Sequence, residues 1–450
     1  MRNGNSDGYP QGRRAVIGWA FYDWANSAFA TTVLAGFFPV FFNEYWSAGV
    51  ETTTTTARLG LANSIAGVTV AVLAPVLGAI ADRGTLRKRL LVFFAFMGAL
   101  LTCSLSLVAA GAWGAAIALF VFASVGFSGS IVFSDSLLGS VAPANRLDRV
   151  SALGYALGYL GGGLLFAVNV WMTLRPQAFG LRDAAQAVRL SFVTVGCWWA
   201  LFTVPLILFV REPAPPPGRL PGGLVSGAFR ELGRTFSHVR RLRTLFLFLL
   251  AYWCYIDGVD TIVRMAVDYG LSIGLVRDDL IVALLVTQFV GFPAALLFGR
   301  IGDRFGARRG IFAALGVYLL VTAWAALMQT RTEFFALAVA IGLVQGGIQA
   351  LSRSYYARML PAGRQAEFFG FYNMIGKFAA VIGPLLIGGS GLLARRLGAE
   401  PLAATRIGIT SIALLFVVGG SLLRMVDEDR ARLEALSLFG AGRSGNAADS

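Results

Sequence analysis

Charge is scarce in this 450-residue chain: Asp, Glu, Lys and Arg make up 14% of it, against 56% hydrophobic residues. A soluble chain carries roughly a quarter charged residues, so a water-facing shell around several buried cores is excluded. Histidine occurs once, at His238, and cysteine three times, at Cys103, Cys197 and Cys254. The cysteines fall in separate apolar runs without ligand-like spacing, which argues against a metal or redox centre. Lysine is nearly missing; Lys88 and Lys377 are the two, and arginine carries the basic charge. The glycine run at Gly161-Gly162-Gly163 lacks the Lys-Ser/Thr ending of a phosphate loop. With no ATP motif, no cofactor site and no nucleophile-base set, an enzyme reading has little support.

Long apolar runs are what the chain has in abundance. About 20 such residues cross roughly 30 Å of hydrocarbon as a helix. Twelve spans are read at 15–43, 59–81, 90–110, 112–134, 152–172, 190–210, 245–269, 280–298, 311–328, 334–354, 368–394 and 405–423. The stretch 90–110 is apolar on every face, which a barrel strand is not. The first run is read as a retained span rather than a cleaved leader, because Asp23 and Asn26 interrupt it and it continues through Phe42. The expected fold is therefore an all-α membrane protein of two six-helix halves, 15–210 and 245–423, joined by a basic connector at 211–244 and flanked by tails at 1–14 and 424–450.

Most Lys and Arg fall in the connections that share a side with both tails and the connector, so that side is expected to be the cytoplasmic face of the membrane. The net charge of +14 then points to anionic headgroups rather than nucleic acid. In the connector, Phe229, Leu232, Phe236 and Val239 share one helical face, with Arg230, Arg234, Arg240 and Arg241 mostly elsewhere. An interfacial helix on anionic lipid is expected there, with a partner-binding helix as the alternative.

The two halves repeat one another. Trp19-x3-Asp23-x2-Asn26-Ser27 returns as Trp253-x3-Asp257-x2-Asp260-Thr261, and Gly78-x3-Asp82-Arg83 as Gly299-x3-Asp303-Arg304. Pro143-Ala144-Asn145-Arg146 returns as Pro361-Ala362-Gly363-Arg364, and Gly154 as Gly370. Six-span halves in parallel repeat place a pathway at their interface near the midplane.

The Gly-x3-Asp-Arg copies are candidates for a gate in which Asp82 or Asp303 pairs with an arginine or a helix N-terminus across the half boundary. Simple positive-inside anchoring explains Arg83 and Arg304 equally well, but not two matched carboxylates. The first copy has Thr85 where glycine is expected; the second, with Gly306, fits. Ser134-Asp135-Ser136 corresponds to Ser352-Arg353-Ser354, and these opposite charges at symmetric places are read either as an inter-half lock or as solvated helix ends. Asp23, Asn26, Asp257, Asp260, Arg264 and Lys377 lie within apolar spans, where charge costs about 2.5 to 3.5 kcal/mol, and so should face a polar cavity or one another. Gln345, Gln349 and Asn373 either orient a zwitterionic solute or hold helices together. Asp257, nearer the midplane, is expected to bind substrate or a coupling proton, with Asp23 at the inner gate.

Three stretches carry a family resemblance: 22–32 (YDWANSAFATT), 345–354 (QGGIQALSRS) and 367–379 (EFFGFYNMIGKFA). Together they resemble the autophagy-linked vacuolar effluxer family of major facilitator permeases, over essentially residues 15–425. The resemblance implies a permease of alternating access. The eukaryotic members are similar to exporters of leucine and other neutral amino acids, while for bacterial relatives the resemblance leaves the substrate open; an amino acid or similar small zwitterionic or amphipathic solute is the expected class. The compact termini and connectors resemble the bacterial form. A multidrug exporter and a non-transporting receptor or lipid-handling scaffold are the rival readings.

Overall fold

Apolar sequence in a medium without water leaves each backbone N–H and C=O to be satisfied within its own segment, and the chain answers with helices. The computed structural model describes residues 9–84, 86–212, 242–272, 275–361, 363–378 and 382–440. The N-terminal half contains α1 (Arg13–Trp46), α2 (Thr52–Gly84), α3 (Arg87–Ser104), α4 (Trp113–Val141), α5 (Leu147–Leu174) and α6 (Ala184–Phe209). The C-terminal half contains α7 (Arg243–Ser272), α8 (Arg277–Phe305), α9 (Ala307–Leu327) and α10 (Arg331–Met359). It continues with α11 (Gln365–Phe378), α12 (Ile382–Arg396), α13 (Pro401–Ser411), α14 (Ala413–Arg424) and α15 (Glu428–Gly440). Eleven helices among the described residues are long and apolar enough to cross a membrane. Of the eleventh span of the sequence reading, α11 and α12 are described, and 379–381 between them lie outside the described residues.

Each half has its own apolar core, one built from α1 to α6 and one from α7 to α15. Across the boundary, Ala366 at the start of α11 is buried in the core of the opposite half, and Ile281, Leu284, Leu285 and Ala357 pack against that core. The N-terminal segment, the connector ends and the C-terminal segment share one side of the bundle. Gln11 donates to the Ser140 carbonyl at 3.1 Å and the Arg211 carbonyl at 2.8 Å. The stretch read as a C-terminal tail folds as α15, whose Glu434 accepts from the Thr244 N–H at 3.0 Å and its hydroxyl at 2.9 Å, capping the start of α7. This face is called the terminal side below.

Small residues set how closely the rods approach. Glycine at 161 faces the Trp24 ring and glycine at 162 faces Ser27 and Thr31, so α1 and α5 meet almost backbone to backbone. α1 is not uniformly α-helical. Its Phe29–Phe37 and Phe42–Trp46 segments are π-helical, a widening that often accompanies a functional site. At the turn between α8 and α9, Gly306 sits at φ 89°, a conformation that a Cβ would oppose. The connector helix around His238 lies outside the described residues.

Candidate functional site at the junction of the two halves

Arg353 sits six residues inside the end of α10, about 9 Å from it at 1.5 Å per residue. Asp135 is equally far inside α4. Neither is at a helix end, as the sequence reading placed them: both helices run further, α4 to Val141 and α10 to Met359. Arg353 is 2% exposed and Asp135 4%, which removes the solvated-end alternative.

The Arg353 guanidinium reaches from the C-terminal half into the N-terminal one and uses its full fork. Its Nη1 donates to Asp135 Oδ1 at 3.0 Å and its Nη2 to Asp23 Oδ2 at 3.1 Å. Nε donates to the Ser151 hydroxyl at 2.9 Å, and Nη2 also to the Ser151 carbonyl at 2.9 Å. The cation lies over the Tyr155 ring at 4.4 Å and the Trp19 ring at 4.8 Å. Asn373 of α11 donates to the second oxygen of Asp135 at 3.4 Å. One arginine thus joins α1, α4 and α5 to α10. A glycine makes this possible: a Cβ at Gly154 would lie 2.3 Å from Asp23 Oδ2 and 3.0 Å from Arg353 Nη2.

A second layer lies toward the terminal side. Asp82, 5% exposed, accepts from the Ala366 N–H at 3.1 Å and the Glu367 N–H at 2.8 Å, so it caps α11 from across the half boundary. Arg87 Nε donates to the same carboxylate at 2.7 Å and Arg87 Nη2 to Gln365 at 2.9 Å. A Cβ at Gly78 would lie 2.3 Å from the Ala366 carbonyl oxygen, which is why the motif carries glycine there. The symmetric copy is looser. Asp303 is exposed and bonds to the Arg149 N–H near the start of α5. Its neighbourhood instead contains Asp148, fully buried, which pairs with Arg358 of α10 and accepts from Ser354. Arg358 also lies 4.0 Å from Glu428 of α15, and Arg432 donates to the Arg358 carbonyl at 3.2 Å. The last helix is therefore tied to the inter-half contact.

Other expected residues go elsewhere. Asp257 is fully buried and accepts from the Ile382 N–H at 2.9 Å, the Gly383 N–H at 3.0 Å and the Thr261 hydroxyl at 3.1 Å. It holds the first described N–H groups of α12 inside its own half, where the sequence reading placed a binding carboxylate. Asn26, expected to face a polar cavity with Asp23, is 4% exposed and lies beside Tyr22. Asp260 is half-buried and faces Tyr155 and Tyr159 electrostatically. Gln345 and Gln349 are half-buried along α10. Arg304 is exposed, its guanidinium 5.3 Å from the Phe305 ring. The side chains of Arg83, Arg264 and Lys377 lie outside the described residues. Ser151, Asp148, Arg358 and Arg87 were not singled out from sequence; the available signals were an acidic residue opening a helix and arginines that also serve as ordinary flank charges.

Two six-helix halves held by buried charge pairs across their junction define a membrane transporter of the major facilitator class. The solved structures agree on the fold. A proton:xylose symporter, XylE, bound to a bromo-deoxyglucose matches with a TM-score of 0.64 at 15% identity, covering 94% of this chain and 97% of that one. FucP in the outward conformation matches with a TM-score of 0.65 at 12% identity, covering 92% and 100%. Within that class, residues 48–436 match the family described as "Vacuole effluxer Atg22 like", and the chain belongs to that family. An uncharacterized MFS-type transporter, YxiO of Bacillus subtilis (strain 168), is 36% identical over 91% of this chain and 94% of its own length. Autophagy-related protein 22-1 of Aspergillus niger is 27% identical over 64% of this chain, which spans about half the length of that relative.

Proposed function

We propose that this protein is an alternating-access permease for small zwitterionic solutes, amino acids above all, in a bacterial plasma membrane, with both termini cytoplasmic and protons as the coupling ion. The observation that carries the reading is the Arg353 fork: a buried cation of one half bonded to two carboxylates of the other. Such a contact closes one side and can be exchanged for contacts with a solute, which is what a moving gate requires. Asp82 on α11 and Asp148 on Arg358 close the same side, so the conformation is one with a shut cytoplasmic gate.

Counterflow of labelled neutral amino acids in proteoliposomes tests the reading. Competition by unlabelled amino acids is the expected result; competition by hydrophobic cations alone points to a multidrug exporter. Absence of any solute flux points to a receptor or lipid-handling scaffold. Orientation is tested separately: a cysteine placed in the 211–243 connector of a Cys-free protein should resist an impermeant thiol reagent in intact cells. Labelling there reverses the assigned orientation.

A further inference from the structure

The sequence sets Cys103 and Cys197 apart, in the third and sixth spans, but the fold brings them together on the lipid-facing side of the N-terminal half. Glycines let α3 and α6 meet almost backbone to backbone: a Cβ at Gly98 would lie 2.3 Å from the Trp199 ring, and one at Gly196 2.5 Å from the Ala99 carbonyl oxygen. The same Cβ at Gly196 would lie 2.3 Å from Cys103 Sγ, so that sulfur rests on α6 directly beside Cys197. The Cys103 thiol donates to the carbonyl of Val193, one helical turn before Cys197, at 3.7 Å. The Cys197 thiol and backbone N–H are both within hydrogen-bond reach of it. Both cysteines are free; Cys103 is half-buried and Cys197 exposed. Cys197 shares its helix face with Leu201, Val204 and Leu208, and Cys103 shares one with Phe96, Leu100 and Leu107. All six apolar residues are exposed, as the lipid-facing side of a span requires.

The geometry points to Cys103 and Cys197 as an oxidant-sensitive dithiol that closes into a disulfide between α3 and α6, with a lipid-phase hydroperoxide as the oxidant. A disulfide needs its two Cα atoms within about 7 Å, a condition that helices in glycine contact with their sulfurs in hydrogen-bond reach are built to meet. Cys197 borders acyl chains, so the peroxide that meets it is one carried in the bilayer. In the first step an S–O bond forms between Cys197 and the terminal peroxide oxygen, the O–O bond breaks, and the thiol proton leaves with the alkoxide as an alcohol. In the second, Cys103 attacks the Cys197 sulfur, the S–S bond forms, and hydroxide departs with the Cys103 proton as water. The sulfurs together give up two electrons and the peroxide accepts both. The bond joins two helices of one half and touches no residue of the Arg353 cluster, so it stiffens that half and leaves the junction free to move. Cys254, on α7 of the other half, is an internal reference thiol.

The test needs no substrate. The full-length protein in nanodiscs is treated with cumene hydroperoxide, denatured, labelled with a maleimide and digested without reductant for mass spectrometry. Cys103 and Cys197 should lose labelling in parallel and appear in one cross-linked peptide, lighter by the hydrogens of the two thiols, while Cys254 stays labelled. Dithiothreitol added after denaturation should restore both sites. In Cys103→Ser the Cys197 sulfur should run on to sulfinic acid, and in Cys197→Ser the Cys103 thiol should survive the same dose. Absence of the linked peptide once Cys197 has been consumed overturns the proposal, as does loss of Cys103 and Cys254 at equal rates. Hydrogen peroxide at the same dose should form less of the link; an equal or greater yield overturns the lipid-phase route. The linked protein should also melt at a higher temperature than the same sample reduced in detergent, a difference that Cys197→Ser lacks. Equal melting of linked and reduced wild type overturns the stiffening of the half.

Discussion

The two halves descend from one pattern yet use its matched positions differently. Asp23 and Asp257 are equivalent in the repeat, but Asp23 crosses to Arg353 in the other half while Asp257 stays home and caps α12. Asp82 and Asp303 both bond across the half boundary but differ in burial. The copy with the poorer motif, carrying Thr85 in place of glycine, has the buried carboxylate that grips α11. The copy with the better match leaves Asp303 exposed. A repeat thus conserves where a polar side chain is placed, and the partner it meets decides what it does. The C-terminal half supplies the cation of the Arg353 cluster and the N-terminal half supplies its anions.

The largest expected effect follows from breaking the shared cation. Arg353→Ala leaves Asp23 and Asp135 buried without their donor, and removing one member of a buried pair costs about 3 to 5 kcal/mol. The variant should lose thermal stability in detergent and all counterflow. Arg353→Lys should rescue stability only in part, since an ammonium cannot span Asp135, Asp23 and Ser151 together. Replacing both carboxylates along with the arginine should restore stability and not transport. Wild-type melting and counterflow in Arg353→Ala would remove the junction from the mechanism.

The second effect sharpens the comparison between gate copies. Asp82→Asn forfeits charge-assisted bonds to Arg87 and two backbone N–H groups, each worth about 1.5 to 3 kcal/mol, so terminal-side accessibility should rise markedly. Asp303→Asn changes an exposed contact worth about 0 to 1 kcal/mol and should alter little. The reporter is a cysteine at Ala357, which packs against both cores. Equal labelling increases in the two variants would mean that the copies share the work despite their different burial.

The architecture was legible because the bilayer leaves so few options: each apolar run had to become a helix, and the matched motifs fixed two halves. Span ends were less legible for a physical reason. Asp135 and Arg353 lower local hydropathy, so the fourth and tenth spans seemed to stop at them, whereas each is held inside the bundle by the other. The backbone N–H groups that Asp257 receives in the eleventh span were hidden by its continuous apolar composition, with Gly383-Pro384 as the one hint. Asp148 and Arg358 looked like flank charges, since nothing local in sequence tells a solvated arginine from one buried against a carboxylate some 200 residues away. Charge pairing across a junction is a property of the assembled halves.

The smallest effect concerns Asp257, and it separates a fastening role from a binding one. Its carboxylate accepts from the Ile382 and Gly383 N–H groups, the first two described in α12. An asparagine keeps one acceptor oxygen and loses the charge that complements a helix N-terminus. The expected cost is therefore that of a weakened cap, about 0.5 to 2 kcal/mol. Hydrogen exchange should quicken at the Ile382 and Gly383 amides while α7 and α10 stay protected. Because Asp257 is fully buried with its carboxylate on backbone N–H groups of its own half, counterflow should fall only modestly in Asp257→Asn. Loss of counterflow in this variant, with exchange at Ile382 and Gly383 unchanged, would return Asp257 to a binding role and make the two halves functionally alike after all.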